Sequence, residues 1–253
     1  HCNVRCDVLS EDDLATQLSD YKMLFATDAN LRRSVLPSLV DWVHDGGVLY
    51  LSAGALARDE RDDPLGLDEA LKLKREPLDV QADPGRSEYE MRGLKALDVF
   101  EGIKLFCATQ KPAWQTVAVG SGKVIVVGFF PAISYIATSE RAAGADHSTL
   151  EFDATHRDWM RKVLAAGDIR PRLRTDDYRV EANWIRSPQA DILALSNWTG
   201  HEQTVVVELD GAPAYREISP VAGKIVSTKN QGGTLRVQAT VAAGDLIQLE
   251  IGE

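Results

Sequence analysis

The stretch YKMLFATDANLRRSVLPSLVDWVHDGGVLYLSAG, residues 21–54, leaves this chain the fewest choices. MLFAT is a short apolar run stopped by Asp28. Leu36, Leu39, Val40 and Val43 then recur at helical spacing, and VLYLSAG follows Gly46-Gly47 as a second apolar run. Two strands bracketing one helix lie parallel, because the helix supplies the crossover that a tight hairpin cannot. Ligands of such sheets bind beyond the carboxyl ends of the strands. Chemistry is therefore expected at the Asp28 turn and in the loop from Ser52 to Glu60. Neither carries a nucleophile motif, a metal set or a phosphate loop.

A chain of 253 residues accommodates one large domain or two of about 100–150 residues each. Its 38 acidic and 28 basic side chains give a formal charge of −10. That balance opposes a nucleic-acid partner, which needs a basic stripe to displace counterions. No apolar run approaches the roughly 18 residues of a membrane span. The longest, KVIVVGFFPAI, is interrupted by glycine and proline. Cys2, Cys6 and Cys107 cannot all pair internally. Cys2 and Cys6 read as alternate residues on one face of a strand, HCNVRCDVL, in preference to a strained local bridge. The cysteines leave the redox compartment open, so the parent protein fits either a cytoplasmic or an exported location. Because the chain opens inside that apparent strand, it reads as part of a longer polypeptide.

Strands and helices alternate through the first region. SEDDLATQL is a helix capped by Ser10 with Asp13 three places on, KMLFAT is a strand, and Ser34 is a candidate cap for the next helix with Pro37 in its first turn. The charged, proline-punctuated segment 57–93 is too long for an empty loop and should hold short helices such as LDEALKL. KALDVFEGIKLFCAT contains a candidate strand, TVAVGSGKVIVVGFF reads as a hairpin around Ser121-Gly122, and THRDWMRKVLAAG is a helix stopped by Gly167. From about residue 170 the period changes. YRVEANWIR, DILALSNW, QTVVVEL, AYREI, GKIVST, TLRVQAT and DLIQLEI are short alternating strands with SPQAD, TGHE, DGAP and NQGG as turns, the pattern of an antiparallel sandwich. The boundary is placed near Gly167–Pro171, giving domains 1–168, N-terminally incomplete, and 169–253.

The combination of YKMLFATDANL, LVDWVHDGGVLYLSAGALARDE, GSGKVIVVGFFPAISY and a closing all-strand region resembles the class I glutamine-amidotransferase-like domain and following β-sandwich of family 42 type β-galactosidases and related glycoside hydrolases. There the first of these is called the trimerisation domain. The resemblance implies an α/β flavodoxin-like three-layer domain with a mostly parallel sheet, followed by an antiparallel β-sandwich, with catalysis housed elsewhere in the polypeptide. Amidotransferases of this superfamily place a cysteine on a sharp G-x-C-x-G turn, where backbone amides stabilise an oxyanion. Cys107 lies in KLFCATQK without flanking glycines, and SAG at Ser52 to Gly54 is not a G-x-S-x-G elbow.

No residue is therefore assigned a catalytic role. The candidate sheet-end pocket comprises Asp28, Ser52, Glu60, Ser134 and Tyr135, the last two on the segment that by resemblance lines a vestigial pocket or reaches an adjoining catalytic domain. Asp28 reads first as an Asx-type turn residue shared with Asn30. Arg58 to Asp63 reads as a solvated charge cluster or as a surface that matches a neighbouring domain. His147, Glu151, Asp153 and His156 lack the spacing of a metal site, and Gly120, Gly122 and Gly128 are not a phosphate loop, leaving Lys123 an ordinary edge residue. No metal or cofactor is called for. Trp184 and Trp198 read first as core packing near strand centres. With Asn197 they are also the candidate glycan contacts, since an aromatic face stacks on a sugar.

The leading functional expectation is a non-catalytic assembly or accessory region of a glycoside-hydrolase-like protein, whose partner is an upstream catalytic domain or a neighbouring subunit. The alternatives are a small hydrolase using Asp28, Ser52, Glu60 or Cys107 in the sheet-end pocket, and a carbohydrate-binding module acting through the C-terminal domain.

Overall fold

The computed structural model describes residues 2–77, 98–99, 114–128, 131, 154–186, 191–212, 217–220, 224–243 and 246–252. They fall into two compact units, one within Asp7–Ala137 and Lys162–Ile169, the other within His1–Cys6, Thr138–Arg161 and Arg170–Glu253.

The first unit begins with α1 (Glu11–Gln17), and its start is explained by a complete capping box. The Ser10 hydroxyl accepts from the Asp13 amide, and Asp13 Oδ2 accepts from the Ser10 amide at 2.9 Å. This bonding to Ser10 holds the Asp13 carboxyl below its ordinary range. After β1 (Met23–Ala26), α2 (Leu36–His44) carries Pro37 in its first turn, where no amide donor is needed. Ser34 does not cap it. Arg33–Val35 form a 3-10 turn that delays the helix to Leu36, and Val35 takes the cap position without a side-chain bond. The chain continues through β2 (Val48–Leu51), α3 (Leu67–Leu71), the short pair β3 (Glu76–Pro77) and β4 (Asp98–Val99), and the hairpin β5 (Trp114–Val119) and β6 (Gly122–Val127).

The main sheet of this unit runs β1-β2-β6-β5, with β1, β2 and β6 parallel and β5 an antiparallel edge. Every residue of β2 is buried, as expected for a central parallel strand covered on both faces. Leu49, Leu51, Val124 and Val126 share a core with Leu39 and Val43 of α2 and Leu14 of α1. The turn before β6 must pass very close to the end of α2. A Cβ on Gly122 would overlap the backbone oxygens of Val43 and Gly47, so only glycine fits there.

The helix α4 (Ala154–Ala166) ends in the Gly167 turn. Gly167 lies against the Met23 sulfur of β1. Lys123 is more than an edge residue. Its Nζ donates to the Ala166 carbonyl at 3.0 Å and to Asp168 Oδ2 at 2.8 Å, placing a cation on the last carbonyls of α4.

The second unit holds β7 (Leu173–Thr175), β8 (Val180–Ile185), β9 (Asp191–Asn197), β10 (Gln203–Asp210), β11 (Glu217–Pro220), β12 (Lys224–Gln231), β13 (Thr234–Val241) and β14 (Leu246–Gly252). They make two antiparallel sheets, β12-β13-β10-β7 and β11-β14-β9-β8. Leu193 and Leu195 from one and Val205, Val207 and Val237 from the other are fully buried in one shared core, the arrangement of a sandwich. Strict alternation in β9 puts Asp191, Leu193, Leu195 and Asn197 inside. The short strand β7 was not expected in the polar segment DIRPRLRTDD. Arg174 explains it: the residue stands directly opposite Glu208 in the register, and its guanidinium pairs with both Glu208 and Asp210.

One expected strand is absent. Residues 2–9 form no strand, Val8 is fully exposed, and Cys2 and Cys6 are free thiols. The segment divides between units at Cys6 and Asp7, and Asn3 Nδ2 donates to Thr175 Oγ1 at 3.3 Å, so its two halves share no sheet whose one face they could cover.

Candidate functional site

The carboxyl ends of β1 and β2 place Asp28 and Ser52 side by side, because the Ser52 amide donates to the Ala26 carbonyl and the Leu56 amide to the Asp28 carbonyl. Asp28 is exposed, and its Oδ1 accepts from the Asn30 amide at 3.3 Å, an Asx turn. Ser52 is 2% exposed, and its hydroxyl has no hydrogen-bond partner among the described residues. The Glu60 carboxylate accepts from the Arg33 amide at 2.8 Å, and this bond is the main cause holding it below its ordinary range. Ser134, Tyr135 and Cys107 lie outside the described residues, as do His147, Glu151 and Asp153.

The organising residue of this loop is Asp59. Read in the sequence as one member of a solvated charge run, it is 3% exposed. Its Oδ2 accepts from Arg33 Nη2 at 2.7 Å and Nε at 2.9 Å, while its Oδ1 accepts from the amides of Arg61 at 2.9 Å and Asp63 at 3.0 Å. Burial alone would raise its pKa. The amide bonds and the guanidinium outweigh burial and hold the carboxyl low. Arg33 also reaches the Pro64 and Leu65 carbonyls, and Asn30 Nδ2 donates to the Asp59 carbonyl at 2.8 Å. The acidic groups of the sheet end are thus committed to shaping the loop. The only sequence signal was Arg33 itself, the second of two adjacent arginines before α2, whose partner lies 26 residues away.

A recess of about 540 Å³ opens at the opposite, amino ends of β1 and β2, lined by Leu14, Leu18, Tyr21, Lys22, Asp41 and Trp42 among others. Among the described residues, no group of three or more His, Cys, Asp or Glu side chains is placed to hold a metal ion. No described helix is long and apolar enough to cross a membrane.

In the sandwich the three candidate glycan contacts separate. Asn197 is 2% exposed; its Oδ1 accepts from the Thr199 amide and hydroxyl at 2.9 and 2.7 Å, and its Nδ2 lies 2.9–3.0 Å from the carbonyls of Val241, His201 and Ala242. Trp184 is half-buried against the core, donates to Asp191 Oδ2 at 3.0 Å, and carries the Arg186 guanidinium 5.1 Å from its ring centre. Trp198 departs from its expected packing role. It follows the end of β9, is 68% exposed, and its Nε1 donates to Glu181 Oε2 at 3.3 Å. Alternation explains the reversal, since Asn197 takes the inward position and turns the next residue out.

No family model matches the chain, and no curated protein matches it by sequence. Solved structures do. Gan42B, a GH42 β-galactosidase from G. stearothermophilus, is similar with a TM-score of 0.58 and 16% identity, over 100% of this chain and 34% of that one. The cold-adapted β-galactosidase from Rahnella sp. R3 gives 0.55 and 15%, over 99% and 35%. The β-galactosidase from Bacillus circulans sp. alkalophilus gives 0.51 and 15%, over 94% and 34%. The chain thus spans about a third of the length of these enzymes and is similar to that third in fold.

Proposed function

We propose that the chain is a non-catalytic assembly and accessory region of a glycoside-hydrolase-like protein, positioning an upstream catalytic domain or joining subunits. The observation that carries this reading is the form of the match, which takes in the whole of this chain and about a third of a GH42 β-galactosidase. In this reading the parallel strands β1, β2 and β6 belong to a flavodoxin-like, amidotransferase-type domain of the trimerisation class, extending to residue 168, and the sandwich follows from 169. The sheet-end geometry supports a structural use of its polar groups. Asp28 and Asp59 accept from backbone amides of their own loops, and Glu60 accepts from the Arg33 amide of the facing segment.

The test compares turnover of a chromogenic β-galactoside by the chain alone and by the chain joined to its upstream sequence. The chain alone should give none. In the longer protein, Asp28→Asn, Ser52→Ala and Glu60→Gln should each leave kcat within about twofold, an effect well below the 10²–10⁴ lost with an acid–base group. Turnover by the chain alone that disappears in any of these variants would establish a sheet-end catalytic centre instead.

A further inference from the structure

We propose that the outer face of β8 and β9 is a binding site for a neutral saccharide, with Trp198 as its stacking platform and Glu181 and Asn183 as its hydroxyl partners. In β8 the residues Val180 and Ala182 point into the core, so Glu181, Asn183 and Ile185 point out. The register sets Glu181 opposite Ser196 and Asn183 opposite Ala194, both on the outer side of β9, where Trp198 also emerges. Trp198 is the most exposed aromatic side chain among the large hydrophobics of the described residues. Its ring is nonetheless oriented. The indole donates to one oxygen of Glu181, and the other oxygen accepts from Asn183 Nδ2 at 3.3 Å.

This chain of two bonds fixes an aromatic face beside a carboxylate with unused lone pairs and an amide oxygen that can still accept. A pyranose presents the complementary surface, an apolar patch of C–H groups for the ring and hydroxyls that demand partners at its edge. The surroundings favour a sugar over a protein partner. The next exposed apolar residue on this face, Ile185, stands six positions along β8 from Arg179, the residue opposite Trp198, about 20 Å away, with Glu181 and Asn183 between them. The exposed large apolar residues are therefore separated, with only the partly buried Ala194 and Ile192 of β9 between them, and a carboxylate beside the ring is what protein interface cores avoid. Charge selects among sugars: Glu181 and a formal charge of −10 disfavour uronates and sulfated glycans. Neither Asn197, whose amide is spent inside the sandwich, nor Trp184, packed on the core, contributes.

The site rests on this geometry alone. The choice of a β-galactoside as first probe rests on the glycoside-hydrolase reading. The experiment titrates the 253-residue chain with a neutral β-galacto-oligosaccharide, following indole N–H resonances, with a gluco-oligosaccharide and an oligogalacturonate as comparators. A neutral oligosaccharide should move the Trp198 signal and the oligogalacturonate should not. Trp198→Ala should weaken binding at least about tenfold, the order of one lost base- or ring-stacking contact, with an unchanged melting temperature, and Asn183→Ala should weaken it less. Glu181→Gln should reduce the discrimination against the oligogalacturonate. Failure of every neutral oligosaccharide to perturb Trp198, or equal binding by Trp198→Ala, overturns the proposal. So does a fall in oligomeric mass on Trp198→Ala, which would make the ring a subunit contact and leave the assembly reading standing.

Discussion

Replacing Asn197 by alanine should unfold the sandwich more easily without exposing any new binding chemistry. The side chain ties the end of β9 to the 199–201 turn and to the end of β13, through the Thr199 amide and the Val241 carbonyl, both in fully buried bonds, and through the partly buried carbonyls of His201 and Ala242. Removing it strands one buried donor and one buried acceptor. Each costs about 1–3 kcal/mol, and water can reach the partly buried carbonyls, so a loss of about 2–4 kcal/mol is expected. At 3 kcal/mol the melting midpoint of a unit this size should fall by roughly 12–24 °C. Asn197→Asp sharpens the test. It retains an acceptor for Thr199 but aims a negative charge at three carbonyl oxygens, so it should cost at least as much at neutral pH and recover as the carboxyl protonates. Urea unfolding followed by circular dichroism, with hydrogen exchange at the Thr199 amide, reads both variants. A change below about 0.5 kcal/mol for Asn197→Ala, the range of an ordinary surface substitution, would refute the assignment of Asn197 as a buried tie.

Gly122→Ala should cost more than the roughly 1–3 kcal/mol of ordinary overpacking, because the atoms in its way are backbone oxygens of Val43 and Gly47; soluble yield and thermal melting check this. Arg33→Ala removes the cation facing Asp59, so trypsin should cleave after Arg58 or Arg61 in the variant sooner than in the parent, as timed by mass spectrometry. The Arg174 guanidinium and the Thr234 hydroxyl hold the Asp210 carboxyl below its ordinary range. A depressed folded-state pKa contributes stability above about pH 4 that is lost as pH falls through the folded value. Urea midpoints measured at decreasing pH should therefore fall less steeply below about pH 4 in Asp210→Asn than in the parent.

Local chemistry made much of the architecture legible. The Ser10 and Asp13 capping box, the glycine turn before β6, the Gly167 stop and the alternation of β9 each follow from a few adjacent residues, and each appears where the sequence puts it. What escaped were features decided by distant partners. The segment 2–9 has the alternation of a strand and no shared sheet, whereas β7 has a poor pattern and is held by Leu173 in the sandwich core and by Arg174 meeting Glu208 and Asp210. Lys123 looked ordinary until the end of α4 arrived at its ammonium group. The candidate sites divide in the same way. The Asp28 turn was readable from Asp28 and Asn30 alone, but the burial of Asp59 required Arg33, and the opposite fates of Asn197 and Trp198 required knowing which parity of β9 faces the core.

Under the proposed reading, this chain joins subunits or positions a catalytic domain. Sedimentation equilibrium of the 253-residue chain, repeated with the upstream sequence attached, tests this most directly. A concentration-dependent oligomer, a trimer if the trimerisation-type resemblance carries over, is expected in at least the longer protein. Monomers in both, at concentrations well above micromolar, would contradict subunit assembly; a proteolytically separable and freely tumbling chain within the longer monomer would also remove the positioning role.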